Sequence, residues 1–407
     1  MVHSTPIQTT QQEICLDDIR SDKRQLPVTG RAKKRLHRRR LLKNAWIVVQ
    51  LYKWPWRILR VLNQLRLRRN ALAGAANVHK LVCVEGQHLW RLHLPPWESP
   101  KFDRFVHSEL QRIQAHDSHA DRLALAHLAI TKKCPLRCEH CFEWDNLNKP
   151  EALTTSDIDT MVDNLLSVGT ANIAFSGGEP MLRVHEIVNT VRRCRDESQF
   201  WVLTSGFNFT AAHAKSLKEA GLMGVVVSID DLSPDKHDAF RGKPGSFKDA
   251  LEAVKHAMDQ GLVTAISTCV TRDKANLQYL RAFMDFAKDL GVGFVQLLEP
   301  KPVGHYALQD VLLREPELRA MEECFLSCNA DDAYREHPIV IYHGYYQRRV
   351  GCLAAGNLGV YVDTNGDFMS CPFCHKKNGS LLSSDFEQSL NDLEAMGCDS
   401  YGQFGLS

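Results

Sequence analysis

From Leu123 onward the chain alternates short apolar runs with helical patterns, and this alternation limits the fold more than any other feature of the sequence. The run 123–131 (LALAHLAIT) reads as a buried strand, and 171–176, 200–205, 224–230, 262–270 and 293–299 read as five more. Each is short, rich in β-branched or other apolar residues, and bounded by turn residues. Between them, 156–168, 184–195, 211–220, 246–260 and 274–290 carry helical periodicity, with Thr155 or Ser156 and Ser246 as N-caps and Gly169 as a stop. Strands separated by helices lie parallel in one sheet. Right-handed crossovers wind such a sheet into an open doubly wound form or a barrel. No GxGxxG follows the first strand, which weakens the dinucleotide-binding form. In either architecture the reactive groups belong just after the strands, at their carboxyl ends.

The residues at those positions carry chemistry. Directly after the first strand, KKCPLRCEHCFEW places Cys134, Cys138 and Cys141 in a CxxxCxxC loop. Three thiolates on one loop can grip a metal ion or a cubane cluster. A four-iron cluster needs four ligands, so three cysteines leave one iron open to a reactant. A zinc site and three ordinary thiols are the plainer readings. After the second strand stands Ser176-Gly177-Gly178-Glu179-Pro180, where two glycines permit close backbone approach and Glu179 brings a carboxylate; a simple βα turn has the same look. Thr204-Ser205-Gly206 follows the third strand. The fourth ends in Ser228-Ile229-Asp230, and Phe240-Arg241-Gly242 comes soon after, with Arg241 suited to a bidentate carboxylate contact. Leu298-Glu299-Pro300 and Gly304-His305-Tyr306 follow the sixth strand and read first as plain loop at the mouth of a cavity. Glu143, Trp144 and Asp145 lie beside the cysteine loop without an assigned role.

A second cysteine group, Cys352, Cys371 and Cys374, brackets VYVDTNGDFMSC, which reads as a hairpin turning at Asn365-Gly366 and bringing Cys352 toward Cys371. Cys324 and Cys328, at i and i+4 of a helical stretch, read as core. Cys15, Cys83, Cys194 and Cys269 stand alone and read as buried thiols. An odd total of 13 Cys, the length of 407 residues and a polar start over Met1–Thr10 argue against a secreted, disulfide-bonded chain.

In combination, the CxxxCxxC loop, the GGEP run and the SID…RG…SF segment over 228–247 resemble the radical S-adenosylmethionine (SAM) superfamily. The last segment resembles the branch of molybdopterin-precursor synthases, anaerobic sulfatase-maturating enzymes and peptide maturases. The resemblance covers roughly 123–300 as a catalytic core and 352–400 as an accessory part. It implies an α/β fold: a partial (β/α)6 TIM-like barrel with a [4Fe–4S] cluster on Cys134, Cys138 and Cys141. SAM would chelate the fourth iron and be cleaved by one electron to methionine and a 5′-deoxyadenosyl radical, which abstracts hydrogen from substrate. Carried over by position, Gly177, Gly178 and Glu179 would hold the SAM amino group. Ser228, Asp230 and Arg241 would serve its ribose or carboxylate, and Thr268 would lie near the adenine. His140 stands where the family often has an aromatic residue; an imidazole can still stack on adenine. The spacing of Cys352, Cys371 and Cys374 resembles SPASM/Twitch accessory domains. It implies one auxiliary iron–sulfur cluster with Cys398 as fourth ligand, ahead of Cys324, Cys328 or His375; structural zinc is the alternative. Reduced flavodoxin or ferredoxin is the electron donor that the family suggests.

Charge separates the amino-terminal part from the rest. Residues 1–76 carry 17 Lys/Arg against 4 Asp/Glu, whereas the whole chain has a net charge of only +2. Residues 1–30 read as a flexible leader. RAKKRLHRRR and the Trp-, Leu- and Ile-rich stretch behind it read as a helix lying on a surface, either an anionic membrane or the protein's own acidic body. Charged residues interrupt the stretch too often for it to span a bilayer. The expected organisation is a basic arm (1–76), a hairpin and helix (77–122) with its turn at Gly86-Gln87, the barrel (123–310), and a helical linker with a small Fe–S domain (311–407). The expected function is hydrogen abstraction from a peptide or protein, with a small-molecule or lipid-linked substrate as the alternative. The expected location is cytoplasmic or peripheral at a membrane. A non-catalytic iron–sulfur or zinc protein belongs to another class and leaves the GGEP and SID…RG marks without use. Nucleic-acid binding through the basic run has no accompanying module and is not expected.

Overall fold

The computed structural model describes residues 21–73, 80–116, 120–352, 354, 358–398 and 400. In chain order the strands are β1 (Pro27–Val28), β2 (Leu81–Val84), β3 (Gln87–Leu89), β4 (Leu125–Ala129), β5 (Asn172–Ser176), β6 (Gln199–Thr204), β7 (Gly224–Ser228), β8 (Val263–Cys269), β9 (Phe294–Leu298), β10 (Ile339–Tyr342), β11 (Gly359–Val362) and β12 (Phe368–Met369). A nine-stranded sheet runs β10-β9-β8-β7-β6-β5-β4-β11-β12. From β4 to β9 neighbours in sequence are neighbours in space and every pair is parallel, which is the (β/α)6 array expected from the alternation. Cys15 lies outside the described residues.

Two strands extend the array beyond six. β10 adds to β9 in parallel, and β11 adds to β4 in parallel while pairing antiparallel with β12. The hairpin around Asn365-Gly366 is thus sewn into the same sheet as the barrel strands. Its turn is an Asp363-centred loop in which Asp363 Oδ1 accepts from the Asn365 and Asp367 amides at 2.8 and 3.0 Å.

Both sheet faces are buried, as parallel strands require. On one face Phe175, Phe200, Val227 and Ile266 pack with Met161, Leu217, Val254 and Phe283 of the surrounding helices. On the other, Trp201, Val263, Phe294 and Ile339 pack with Val82, Val84 and Leu89 of the β2–β3 hairpin. Most of those sheet residues stand near strand starts, so the hairpin closes the end opposite the reactive turns. Each such buried side chain contributes about 1.5–3 kcal/mol. The hairpin turns at Glu85-Gly86, one residue before the expected position; both have positive φ (46° and 79°), the conformation that tight two-residue hairpins demand.

Helix ends also differ in detail from their sequence reading. The helix Thr155–Ser167 is capped one residue earlier, by Thr154, in a reciprocal box with Asp157. The helix Ser246–Asp259 starts after Gly245 at φ 82°. Its first amides are served instead by Asp238, whose Oδ1 accepts from Phe247 N (2.8 Å) and Ser246 Oγ (2.9 Å).

The leader is anchored from Ser21 on. Gln25 Nε2 donates to Leu262 O (2.6 Å), its Oε1 accepts from Thr264 N (3.0 Å), and β1 pairs with β2. The basic stretch forms two helices, Gly30–Tyr52 and Pro55–Ala73, with Pro55 opening the second. Their inner faces, through Ile47, Val48, Tyr52 and Val61, pack on Trp97, Phe102, Val106 and Leu110.

Lys80, 2% exposed, donates its ammonium to His337 O at 2.8 Å. Burial pulls its pKa down from 10.5 to about 8. The folded state therefore releases a proton that the unfolded chain keeps up to pH 10.5. We expect the native protein to gain stability relative to Lys80→Met as pH rises from about 8 to 10.5. Urea midpoints at several pH values check this, and a pH-independent difference would contradict it.

Candidate active site

The loop Cys134–Cys141 follows β4 and has neither helix nor strand to hold it. Neighbouring turns grip its backbone instead. Asn148 Nδ2 donates to Cys134 O, and Cys134 N donates back to Asn148 Oδ1, each at 3.0 Å. The GGEP turn docks through Gly178 N to Thr131 O (2.7 Å) and Glu179 N to Lys133 O (2.8 Å). A Cβ at Gly178 would stand 2.2 Å from Lys133 O, and one at Gly177 2.5 Å from Thr131 O. The two glycines therefore permit one backbone to lie on another, the close approach expected from the sequence.

On another side, Arg137 N donates to Arg241 O and Glu139 N to Phe240 O, both at 2.9 Å. On a further side, His305 N donates to Cys141 O at 2.9 Å, and His305 Nδ1 lies 3.0 Å from Cys138 O. Trp144 stacks flat on the His305 ring, with centroids 3.7 Å apart. Gly304-His305, read from sequence as plain loop, is a clamp on the cysteine loop.

Charge is concentrated beneath Cys138. Arg241 Nε donates to Asp230 Oδ2 at 2.6 Å, and Arg241 NH1 points at Cys138 Sγ from 3.7 Å. Asp230 is fully buried; its other oxygen accepts from Cys269 N at 2.8 Å, and its amide donates to His237 Nδ1 at 3.1 Å. Burial is the largest influence on Asp230 and opposes its ionisation, but the Arg241 guanidinium, the Cys269 amide and the neighbouring imidazoles together outweigh it and hold the carboxyl below its usual 3.8. Lys274 adds a second cation, 3.0 Å from Asp231 and 2.8 Å from Asp230 O. Burial raises Cys134 and Cys141 to about 12; it raises Cys138 too, against the pull of Arg241. Without a ligand the three thiols hold their protons at neutral pH. Burial lowers His140 to about 4 and leaves it neutral, stacked on Phe240.

The turns that follow β5 and β6 meet at Glu179. This carboxylate is 1% exposed and accepts from Thr204 Oγ1 (2.7 Å), Ser205 N (2.9 Å), Ser205 Oγ (2.5 Å) and Met181 N (3.1 Å). Burial raises its pKa while these donors pull it back. Ser228 Oγ lies 3.5 Å from Ser267 Oγ on the next strand. Thr268, at the end of β8, is buried.

The family model of the radical SAM superfamily matches residues 128–287, the stretch that holds this loop and these turns. The chain carries a radical SAM domain. Among relatives, an AdoMet-dependent heme synthase of Oleidesulfovibrio alaskensis is 31% identical over 44% of this chain and 46% of its own length. A GTP 3′,8-cyclase of Aquifex aeolicus is 25% identical over 50% of this chain and 65% of its own. This chain thus spans about half of the heme synthase it matches. Two solved structures share the fold. SuiB of Streptococcus suis bound to precursor peptide SuiA is 14% identical, with a TM-score of 0.55 over 75% of this chain and 71% of its own. Native anSMEcpe with bound AdoMet is 17% identical, with a TM-score of 0.53 over 65% and 80%.

Radical SAM proteins use a [4Fe–4S] cluster and SAM, and the residues present fit both. The donor set is three thiols on one gripped loop, with a guanidinium beside the middle one to offset the negative charge of thiolates. Ser176 Oγ, Thr268 Oγ1 and His140 Nδ1 are buried among the described residues with no protein partner, polar atoms left for a polar ligand. Asp230 and Arg241 are spent on each other, so they set charge and loop position more than they reach outward.

The second cysteine group also gathers. Burial and then the neighbouring thiols of Cys398 and Cys371 push Cys352 up to about 12. Burial raises Cys371, with Cys374 and Cys398 among its neighbours. Cys352, Cys371 and Cys398 therefore neighbour one another, and Cys374 neighbours Cys371. Cys324 and Cys328 are instead buried in the helix Glu315–Ala330, their sulfurs 3.9 Å apart. Among the described residues no three metal-binding side chains converge on a single ion position.

Sequence reasoning left Glu143 without a role. Tyr361 of β11, fully buried, donates its hydroxyl to Glu143 Oε1 at 2.5 Å, and Phe142 meets the rings of Tyr361 and Phe373 edge-on. Phe373 sits between Cys371 and Cys374, so these contacts tie the two cysteine groups together. A carboxylate set between two aromatic residues, Phe142 and Trp144, was the available signal; its partner 218 positions away was not.

The Asp230–Arg241 pair gives a direct test. Arg241→Gln should destabilise by about 3–5 kcal/mol, because it strands a buried carboxylate. Adding Asp230→Asn should recover much of the loss. Because the Asp230 pKa is depressed, the contribution is complete at neutral pH and is lost only as pH falls below about 4. Denaturant unfolding of the single and double variants checks this; purely additive losses would contradict it.

Proposed function

We propose that the protein is a radical SAM enzyme that abstracts hydrogen from a peptide or protein substrate and carries one auxiliary iron–sulfur cluster. The observation that supports it most is the loop Cys134–Cys141, clamped with a cation at Cys138 and polar atoms left unpaired at the adjoining strand ends. On this reading Cys134, Cys138 and Cys141 ligate the first cluster and leave one iron for SAM. When bound, the cluster and SAM together supply one-electron cleavage to methionine and a 5′-deoxyadenosyl radical.

The chain's own residues prepare that chemistry. Gly177 and Gly178 bring the GGEP backbone against the loop. Glu179 offers a desolvated carboxylate to the SAM ammonium. Ser228 and Thr268 offer hydroxyls to the ribose and adenine. Arg241, fixed by Asp230, holds positive charge at the Cys138 sulfur. Cys352, Cys371, Cys374 and Cys398 ligate the auxiliary cluster, tied to the first loop through Tyr361, Phe142 and Phe373. A peptide substrate is supported by SuiB, which shares the fold and is bound to a precursor peptide in its structure. A small-molecule substrate is the second reading, favoured by the sequence relatives named for heme synthesis and GTP cyclisation. A reduced flavodoxin or ferredoxin in a reducing cytoplasm is the one-electron donor this reading calls for.

Anaerobically reconstituted protein with dithionite should convert SAM to 5′-deoxyadenosine and methionine in equal amounts. Alanine at Cys134, Cys138 or Cys141 should reduce this to background. Cys398→Ala should lower the iron content and leave SAM cleavage in place. Deuterated peptides should pass label into the nucleoside. Label arriving only from a small-molecule fraction would turn the reading to the second substrate class, and no nucleoside under any reductant would defeat both.

A further inference from the structure

The two amino-terminal helices are apolar on two opposite sides, and only one side is used. In Gly30–Tyr52 the inner side is Ile47, Val48, Leu51 and Tyr52, packed on the body. The opposite side is a single stripe at helical spacing, Arg35, Arg38, Leu42, Trp46 and Val49, with Lys53 at the C-cap beyond it, all exposed. Pro55–Ala73 repeats the arrangement. Ile58, Val61, Leu62 and Leu65 face the body, while Trp56 (58% exposed), Leu59 (70%) and Leu67 (53%) face out. Trp54, at the corner between the helices, is 63% exposed. Among the described residues, eight of fifteen exposed large apolar side chains lie between Leu41 and Leu67.

The charge on this outer surface has one sign. Residues 30–73 contain no Asp or Glu and 14 Lys or Arg. Some of that charge is used internally, as where Arg39 and Lys43 meet Glu98 and Asp103. Arg31, Lys34, Arg35, Arg38, Arg57 and Arg60 are exposed. No described helix is long and apolar enough to cross a membrane.

We propose that this face is a docking surface for an anionic lipid bilayer. Tryptophan is the side chain best suited to the boundary between headgroups and acyl chains, and three of them stand at Trp46, Trp54 and Trp56 beside long basic side chains that can reach phosphate. From Arg35 to Val49 the stripe is about 21 Å long at 1.5 Å per residue, enough for a helix to lie flat in the interface. A nucleic acid would use the arginines but gains little from Leu42, Val49, Leu59 and Leu67. An acidic protein partner would also bury tryptophan, but unbroken basic charge over residues 30–73 and a stripe running along a helix fit a flat, uniformly anionic surface better. The opposite faces stay packed on the body, so docking needs no unfolding of the arm and presents the rest of the protein in one orientation.

Co-sedimentation of the full chain with vesicles tests this without a loaded cluster, so its outcome is separate from that of the enzymatic reading. The chain should bind phosphatidylglycerol-rich vesicles and not pure phosphatidylcholine, with binding weakened by salt. Trp46→Ser/Trp54→Ser/Trp56→Ser should lower affinity at least about tenfold, and Arg35→Glu/Arg38→Glu should do the same. Circular dichroism and melting of both variants should match the parent, since the substituted side chains face out. Failure of the parent to bind anionic vesicles would overturn the proposal, as would binding that ignores both sets of substitutions. Lipid-free self-association that the tryptophan substitutions abolish would instead assign the face to a second copy. Tryptophan-independent binding to RNA would assign it to a polyanion.

Discussion

An eight-residue segment governs this structure: three thiols must be held in fixed relation on Cys134–Cys141, which has no regular hydrogen bonding of its own. The solution is backbone-to-backbone docking. Carbonyls and amides of the Cys134–Cys141 loop are paired with Asn148, with Phe240-Arg241 and with His305, and the segment that leads into it, Thr131–Lys133, is paired with the GGEP turn. Asn148 belongs to the same connection after β4, but the other contacts arrive from segments that follow β5, β7 and β9, so the loop is positioned by several strands at once. The same arrangement places the buried Arg241–Asp230 pair under Cys138, where a desolvated cation acts with little screening.

Much of this was legible in the sequence because it is local. The βα alternation set the parallel sheet, and the motif residues stand at strand ends where such sheets carry chemistry. The GGEP glycines were read as permitting close approach, and they do, against Thr131 and Lys133. The grip by Phe240 and His305 was not legible, since it depends on segments about 100 and 165 residues distant, one accepting from the loop's amides and the other donating to its carbonyls. Tyr361 meeting Glu143 is the same kind of contact. Nor does periodicity reveal that β11 pairs with β4, because a short apolar strand fits an isolated hairpin equally well until its neighbour is known.

The amino-terminal part shows the limit in another form. Its composition announced a basic amphipathic arm but could not divide the apolar residues between an inward and an outward use. The structure makes that division by helical phase: Ile47, Val48 and Tyr52 inward, Leu42, Trp46 and Val49 outward. Polar composition likewise concealed that Gln25 and β1 are pinned to the body, because a glutamine bonding two backbone groups of a distant strand has no sequence signature.

The central claim is that the gripped loop holds a cubane by three sulfurs and leaves one iron for SAM. Electron paramagnetic resonance of the reduced, reconstituted Cys352→Ala/Cys371→Ala/Cys374→Ala variant examines that site alone. The signal of a four-iron cluster should be present and should change shape when SAM is added, and it should vanish with Cys138→Ala. A spectrum indifferent to SAM, or one that survives the loss of Cys138, would contradict the claim.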